Sequence, residues 1–287
     1  MHPFNYYAPE SIEEASKILE KYGEKAKCLA GGTDVLVQTR GEKFDLDAIV
    51  DVKKIPELTE LKWTDSHLVF GAATPCYVLY EDPKVCEKFP GIIDSAFLIG
   101  GIQIQSRASL GGNLCNASPS ADGICSLIVH EAICVIAGSA GLREIPVEEM
   151  CQGPGRNALE DGEFLVSIKI PLKDNKFSAS YERFIPRNEM DIAVAAVASS
   201  VEMQDGKVSS CRIALAAVGP TPIYAQAASE LIIGKEPTED NIKIVSEKAK
   251  EIASPIADMR GTIEHRKDLI EVLTRRTISK ALERVGV

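Results

Sequence analysis

Two glycine pairs are the residues of this sequence whose type and spacing are best suited to holding a ligand. The first, Gly31-Gly32, follows a short apolar run and precedes Thr33-Asp34, where a strand can end and a helix begin. Glycines at such a point allow positive φ and let backbone N–H groups approach an anion, and a following helix adds its positive end. The pattern matches neither the dinucleotide nor the P-loop fingerprint. Taken alone, a tight turn without a ligand is the simpler interpretation.

The second pair, Gly111-Gly112, lies in a polar segment that runs from Ser109 to Asp122. Short hydroxyl and amide side chains and one carboxylate surround it, and such groups hydrogen-bond phosphate, ribose or ribityl oxygens without a net positive charge. A polar loop with turn residues is an equally good reading of this segment alone. Two glycine-pair turns far apart in the chain could, however, grip one extended ligand from both sides.

The charge balance limits how an anionic ligand can be held. The 287 residues contain 32 Lys and Arg against 42 Asp and Glu, a formal charge of −10. This acidic balance argues against nucleic acid or an anionic membrane as a partner, because both bind surfaces rich in Lys and Arg. An anionic ligand must therefore be bound by backbone N–H groups and local dipoles. No apolar stretch reaches the roughly 20 residues of a membrane span, and no secretory signal is expected at the N-terminus.

The candidate reactive side chains are dispersed. The eight cysteines include no Cys-x-x-Cys pair and the four histidines are isolated. This spacing suits neither zinc nor iron–sulfur ligation, so no metal site and no catalytic residue is predicted. We expect reduced thiols and a cytoplasmic location.

The elements that must position the glycine pairs follow from local patterns, which indicate an α+β protein. Ser11 and Glu14 predict a capping box, and Gly23 predicts the end of that helix. Asp205-Gly206 predicts a hairpin turn. Further helices are predicted near Pro75, after Thr238 and over 269–285, and strands over 27–30, 48–52, 68–72, 164–170, 193–202 and 208–218. The polar segment 173–176 is a plausible domain boundary.

Together these motifs resemble one family, the FAD-binding (medium) subunits of the molybdenum hydroxylases, the group that contains xanthine dehydrogenase. Residues 29–36 read LAGGTDVL and 109–122 carry GGN followed by SPSAD, as in the two FAD loops of that family. The resemblance continues through Gln103-Ile104-Gln105, and in the C-terminal half through 187–193, 218–222 and 264–266. It covers essentially the whole chain.

The resemblance implies a fold and a set of cofactor-binding residues. The fold is a two-part FAD-binding domain of the vanillyl-alcohol-oxidase (PCMH) type over 1–174, with parts of about 1–55 and 56–174. A smaller α+β domain of the CO dehydrogenase flavoprotein type follows over 175–287. The implied FAD-binding residues are Leu29, Ala30, Gly31, Gly32, Thr33, Asp34, Val35, Ile99, Ser109, Gly111, Gly112, Asn113, Asp122, Leu165 and Arg183.

Each group of residues has an implied role. The first loop holds the pyrophosphate and the second binds from the opposite side. Asp122 bonds a sugar or ribityl hydroxyl, Ile99 and Leu165 flank the rings, and Arg183 stands where mammalian relatives have a flavin-contacting lysine. Two residues depart from the family: Gln105 replaces the usual Arg, and Ser106 replaces the usual Asn.

The implied activity is electron transfer within a larger enzyme. A molybdopterin-binding subunit hydroxylates the substrate, and an iron–sulfur subunit carries [2Fe–2S] clusters. Overall resemblance favours a purine such as xanthine as the substrate, and nicotinate, aromatic acyl-CoA, aldehydes and carbon monoxide stay open. Electrons reach FAD on this chain and leave to NAD⁺ or another acceptor, so the cofactor carries the chemistry. Two alternatives stay open: a self-contained flavin oxidase, with Cys115 the nearby candidate for covalent attachment, and a scaffold with a vestigial site.

Overall fold

The computed structural model describes residues 2–173, 176–187 and 189–287, and within them fourteen strands form four sheets. The strands are β1 (Asn5–Tyr7), β2 (Ala26–Leu29), β3 (Ala48–Asp51), β4 (Leu61–Trp63), β5 (His67–Gly71), β6 (Ile133–Gly138), β7 (Gly141–Pro146), β8 (Cys151–Gly153), β9 (Arg156–Asn157), β10 (Phe164–Pro171), β11 (Phe177–Phe184), β12 (Ala195–Gln204), β13 (Lys207–Ala216) and β14 (Ile223–Tyr224). The helices are α1 (Ile12–Tyr22), α2 (Val35–Arg40), α3 (Cys76–Glu81), α4 (Pro83–Lys88), α5 (Pro90–Ala96), α6 (Ile102–Gln105), α7 (Leu110–Asn116), α8 (Asp122–Val129), α9 (Gln226–Ser229), α10 (Glu239–Ile252) and α11 (Ile263–Val285). Among these, no helix is both long and apolar enough to cross a bilayer.

The first sheet is parallel, in the order β1-β3-β2, and carries the first glycine pair at the end of β2. Helix α1 connects β1 to β2 and begins as predicted, because the Glu14 N–H donates to Ser11 Oγ at 3.2 Å. The Glu14 carboxylate accepts from the Glu10 N–H at 3.1 Å rather than from Ser11, so the reciprocal contact of the capping box is shifted by one residue. Gly23, with φ of 54°, ends the helix.

The second sheet is antiparallel in the order β4-β5-β10-β6-β7. Helices α3 to α8 lie between β5 and β6 in the chain and share one apolar core with this sheet. The second glycine pair is in α7, so the prediction of a turn at Gly111-Gly112 is wrong. Ser109 caps α7 through the Gly112 N–H, and this single hydrogen bond stabilises a helical first turn despite two glycines.

The third sheet, β11-β12-β13-β14, has both faces covered. Alanines such as Ala196 and Ala198 face the core that includes α5 and α8, whereas Val197 and Val201 face α10 and α11. Alternation along a strand sends successive side chains to opposite faces, so the sheet joins the C-terminal half to the first half. The predicted hairpin at Asp205-Gly206 is confirmed, with both residues at positive φ.

The remaining predicted elements are confirmed with ends shifted by a few residues, since local signals locate ends poorly. Helix α11 begins six residues before the predicted stretch, because Thr262 caps it through the His265 N–H. The α+β class is confirmed. The predicted boundary between 174 and 175, and position 188 of the C-terminal motif, lie outside the described residues.

His130 is the buried histidine where α8 meets the C-terminal sheet. Its Nδ1–H donates to the Ser126 carbonyl at 2.7 Å, and its ring packs edge-on against Phe89 and Phe177. Burial lowers the pKa of His130 to about 4, outweighing the Ser126 hydrogen bond and the nearby Asp94 and Glu131, which raise it; Arg284 lowers it further. The side chain is therefore neutral at pH 7.

We expect acid to destabilise the protein through His130. The unfolded chain takes up the imidazole proton near pH 6.5, while the folded chain takes it up near pH 4. The free energy of unfolding should thus fall as pH drops through this window, by about 3 kcal/mol for this group. Urea titrations of the flavin-free chain at pH 7 and 4.5 measure the fall. The His130→Gln variant has no imidazole to protonate, so its free energy of unfolding should fall less between the two pH values. Equal falls in the variant and the wild type would contradict this prediction.

Candidate functional site

The two glycine pairs meet at one cleft of about 540 Å³, a volume typical of small-molecule sites. Most of the predicted site residues line it: Ala30, Gly31, Gly32, Thr33, Asp34, Val35, Ile99, Ser109, Gly111, Gly112, Asn113 and Leu165. Three predicted residues do not. Leu29 packs with Leu46 and Ile49 beneath the loop, and Asp122 and Arg183 lie behind the lining. Their direct contact with a ligand stays a prediction.

The first glycine loop presents a row of unused donors. Among the described residues, the N–H groups of residues 31–35 have no protein acceptor, and no side chain caps α2. Helix α2 is only six residues long, so its dipole adds little to the loop. The row of N–H groups is by its chemistry suited to an anion.

Close packing explains why the loop needs glycine. A Cβ on Gly31 would lie 1.8 Å from the Arg107 carbonyl oxygen, and Gly32 has φ of 77°. Any larger residue at 31 would push the loop off the segment that leads into α7. The two glycine segments are thus pressed together by backbone contact.

The second loop has its polar side chains partly engaged. Ser109 Oγ accepts from the Gly112 N–H at 3.0 Å, and Asn113 Oδ1 accepts from the Gly123 N–H at 3.0 Å. The Asn113 amide nitrogen stays available to a ligand. On Gly112 a Cβ would meet only Ser109 Oγ, at 3.1 Å, within 4 Å. That side of α7 is therefore open to the cleft.

Charged side chains also line the cleft, and Asp34 is the one among them that the sequence patterns singled out. Lys27, Lys43 and Arg156 supply three cations, while Glu24, Asp34, Glu160, Asp161 and Glu163 supply five carboxylates. The Lys43 ammonium lies beside Gly155, where an added Cβ would be 3.7 Å from Nζ. Apart from Asp34, no local motif marks these residues, because they come from separate segments of the chain, such as β2 for Lys27, the segment after α2 for Lys43 and β9 for Arg156. The lining has more carboxylates than cations, so an anion depends on the N–H groups.

Asp122 and Arg183 form a buried ion pair behind the cleft. Arg183 Nη1 lies 2.6 Å from Asp122 Oδ2, and the Tyr181 hydroxyl donates to Asp122 Oδ1 at 2.6 Å. Burial raises the pKa of Asp122, although Arg183 and Tyr181 act against that shift. Arg183 Nε is buried and has no partner among the described residues. The pair joins α8 to β11.

The two departures from the family pattern lie away from the cleft lining. Gln105 is buried, and its amide nitrogen donates to the Phe97 carbonyl at 2.6 Å. Ser106 is exposed and its hydroxyl donates to the Gln103 carbonyl at 2.9 Å. Both side chains are thus engaged within their own segment.

All eight cysteines are free thiols. Cys28 and Cys115 line the cleft, and burial raises the pKa of the Cys28 thiol to about 12 and that of Cys115 further. Within the described parts of the chain, no three His, Cys, Asp or Glu side chains gather as a metal site.

Comparison with known proteins identifies the family. Residues 2–173 match the family described as the FAD binding domain in molybdopterin dehydrogenase, and residues 180–281 match the CO dehydrogenase flavoprotein C-terminal domain. The chain is 30% identical to the xanthine dehydrogenase FAD-binding subunit of Escherichia coli O157:H7, and the alignment covers 98% of this chain and 97% of that protein. It is also 30% identical to the carbon monoxide dehydrogenase medium chain of Afipia carboxidovorans, with the same coverage.

Solved structures agree. Reconstituted CO dehydrogenase from Oligotropha carboxidovorans superposes with a TM-score of 0.94 at 30% identity, covering 99% of both chains. Quinoline 2-oxidoreductase from Pseudomonas putida 86 gives 0.91 at 28% identity, covering 100% of this chain and 99% of that one. The predicted fold class, an FAD-binding domain followed by a flavoprotein C-terminal domain, is thereby confirmed.

The site also fits FAD on its own geometry. The unused N–H groups of the first loop suit a pyrophosphate, and Gly112 leaves open space beside it. Ile99 and Leu165 add apolar surface to the same cleft. The chain therefore belongs to the family of FAD-binding medium subunits of the molybdopterin dehydrogenases, which are oxidoreductase subunits.

Proposed function

We propose that this chain is the FAD-carrying electron-transfer subunit of a multi-subunit molybdopterin hydroxylase. It takes electrons from [2Fe–2S] clusters on one partner and passes them to NAD⁺ or another acceptor, while a second partner binds molybdopterin. The observation that carries the proposal is the cleft in which residues 31–35 offer five N–H groups that have no protein acceptor among the residues the structure describes.

The chain's own residues bind and orient the cofactor, which supplies the redox chemistry when bound. The N–H groups of Gly31 and Gly32 would hold the pyrophosphate, with Asn113 binding from the opposite side. Ile99 and Leu165 would flank the rings and exclude water from them. Asp122 and Arg183 would act from behind, where Arg183 Nε lacks an acceptor.

The substrate of the whole enzyme would be selected on another subunit. The relatives described above are named for xanthine, carbon monoxide and quinoline, yet each matches nearly the full length of this chain. Subunits of one architecture therefore occur in enzymes with very different substrates. This supports an electron-transfer role that the subunits share. We place the complex in the cytoplasm and favour a purine substrate.

The test is purification of the native complex under mild conditions. We expect this chain to be recovered with an iron–sulfur subunit and a molybdopterin subunit, and the isolated chain to be yellow. Substrate should bleach the flavin absorbance in the complex and leave it unchanged in the isolated chain. Full turnover of an organic substrate by the isolated chain, or a colourless chain that cannot be reconstituted with FAD, would contradict the proposal.

The alternative is a self-contained oxidase with FAD attached to Cys115. The raised pKa of this thiol keeps the thiolate fraction low, which disfavours attachment. We therefore predict that acid precipitation releases all the flavin into the supernatant, measured by its visible absorbance. Cys115→Ala should retain FAD equally well. A yellow wild-type pellet that becomes colourless in Cys115→Ala would establish the alternative.

A further inference from the structure

Two cationic side chains that lie outside the cleft lining hydrogen-bond the first glycine loop. Lys53 Nζ donates to the Ala30 carbonyl at 3.0 Å, and Arg107 Nε donates to the Gly31 carbonyl at 3.1 Å. Neither Lys53 nor Arg107 lines the cleft, although both residues whose carbonyls they hold do. Two successive carbonyls are thus each fixed by a positively charged side chain.

Peptide geometry links these carbonyls to the unused donors. In a trans peptide the carbonyl of one residue and the N–H of the next point in opposite directions, and the described chain has no cis peptide bond. The Gly31 N–H therefore points away from Lys53, and the Gly32 N–H points away from Arg107. Neither N–H has a protein acceptor in the described part of the chain.

Lys53 is itself held in place by an ion pair. Asp51 Oδ1 accepts from Lys53 Nζ at 2.7 Å, and Asp51 Oδ2 accepts from the Tyr6 hydroxyl at 2.5 Å. Burial alone would raise the pKa of Asp51, but the hydrogen bonds from Lys53 and Tyr6 outweigh burial and lower the pKa below its usual value. The Arg107 side chain is exposed, but its backbone lies against the loop, because its carbonyl leaves no room for a Cβ on Gly31.

We propose that Lys53 and Arg107 are positioning residues that orient the 30–31 and 31–32 peptides so that their N–H groups bind the FAD pyrophosphate. A cation on the carbonyl oxygen also polarises the peptide and strengthens its N–H as a donor. Because the peptides are already oriented, binding requires little reorganisation. The inference rests on FAD binding in this cleft, which is part of the proposed function.

The test is the affinity of the flavin-free full chain for FAD and for ADP, which carries the pyrophosphate without the flavin. Lys53→Met and Arg107→Met should each raise the Kd for FAD about tenfold, and the Kd for ADP by a similar factor. Lys53→Arg and Arg107→Lys, which keep a cationic donor, should bring both affinities back to within about threefold of wild type. Calorimetric titration measures all of these constants.

Lys54→Met is the matched control. Lys54 is the next residue, pairs with Glu10 at 3.3 Å and does not contact the loop, yet its loss changes the net charge equally. It should alter both affinities by less than about twofold. The positioning role would be overturned if Lys53→Met and Lys54→Met weakened FAD binding equally. It would also be overturned if Lys53→Met and Arg107→Met both kept wild-type affinity.

Two further outcomes are decisive. If Lys53→Met does not fold, the affinities of Arg107→Met test the proposal alone, because Arg107 is exposed and its replacement should leave the fold intact. If the wild-type chain binds FAD and the Met variants at 53 and 107 bind it equally well, only the positioning role is overturned. A wild-type chain that binds neither FAD nor ADP would overturn this inference and the proposed function together.

Discussion

Replacing Gly112 by Val should leave the chain folded and abolish its retention of FAD. Within 4 Å a Cβ at this position meets only Ser109 Oγ, so the added side chain points into open cleft space. Its methyl groups would occupy the volume through which the cofactor approaches α7. Because the valine side chain and the cofactor cannot occupy the same space, we expect the Kd for FAD to rise by at least about 100-fold, or ~3 kcal/mol.

The measurement is the flavin content of the purified full chain, followed by titration with added FAD. Gly41→Val is the matched control, because Gly41 is exposed, has φ of −78° and lies outside the cleft lining. It should retain stoichiometric FAD. Stoichiometric FAD in Gly112→Val would show that the cofactor does not lie against this turn of α7.

Replacing Asp122 by Asn should strongly destabilise the fold. The substitution leaves the Arg183 guanidinium buried, with only 6% of its side chain exposed, and without its carboxylate partner. Removing one member of a buried ion pair lowers the free energy of unfolding by about 3–5 kcal/mol, because the remaining charge is left unpaired in a low-dielectric environment. Urea unfolding of the flavin-free chain measures this loss.

Two controls separate the buried pair from ordinary surface charge. Glu251→Gln breaks the exposed Lys248–Glu251 pair of 2.9 Å and should change the unfolding free energy little. Asp122→Leu combined with Arg183→Met removes both charges and should recover part of the stability lost by Asp122→Asn. Wild-type stability in Asp122→Asn would show that Arg183 finds another partner or reaches water.

Much of the local structure could be predicted because its causes are local. Ser11 caps α1 and Thr238 caps α10 through N–H groups three residues away, and Asp205-Gly206 forms its turn within two residues. Such contacts depend on neighbours in the chain. Gly111-Gly112 was predicted as a turn because two glycines favour one, yet the Ser109 hydroxyl and the packing of α7 against α8 and β10 favour a helix.

The candidate site could be predicted only in part. The two glycine motifs led to the cleft because both contribute residues to its lining. Lys27, Lys43 and Arg156 carry no motif and were not identified, since each reaches the cleft from a different segment of the chain: β2, the segment after α2 and β9. Asp122 and Arg183 were predicted at the cofactor, but the structure brings them together across 61 residues as an ion pair outside the lining.

The sequence by itself determined the family, the α+β class and the two glycine segments that line the cleft, because glycines, caps and turns act through nearby backbone. Only the tertiary structure decided which distant groups complete the site. Arg107 holds Gly31 across 76 residues and Lys53 holds Ala30 across 23. Such pairs have no periodic signal, since they arise when separate elements pack and leave a carbonyl within reach of a cation.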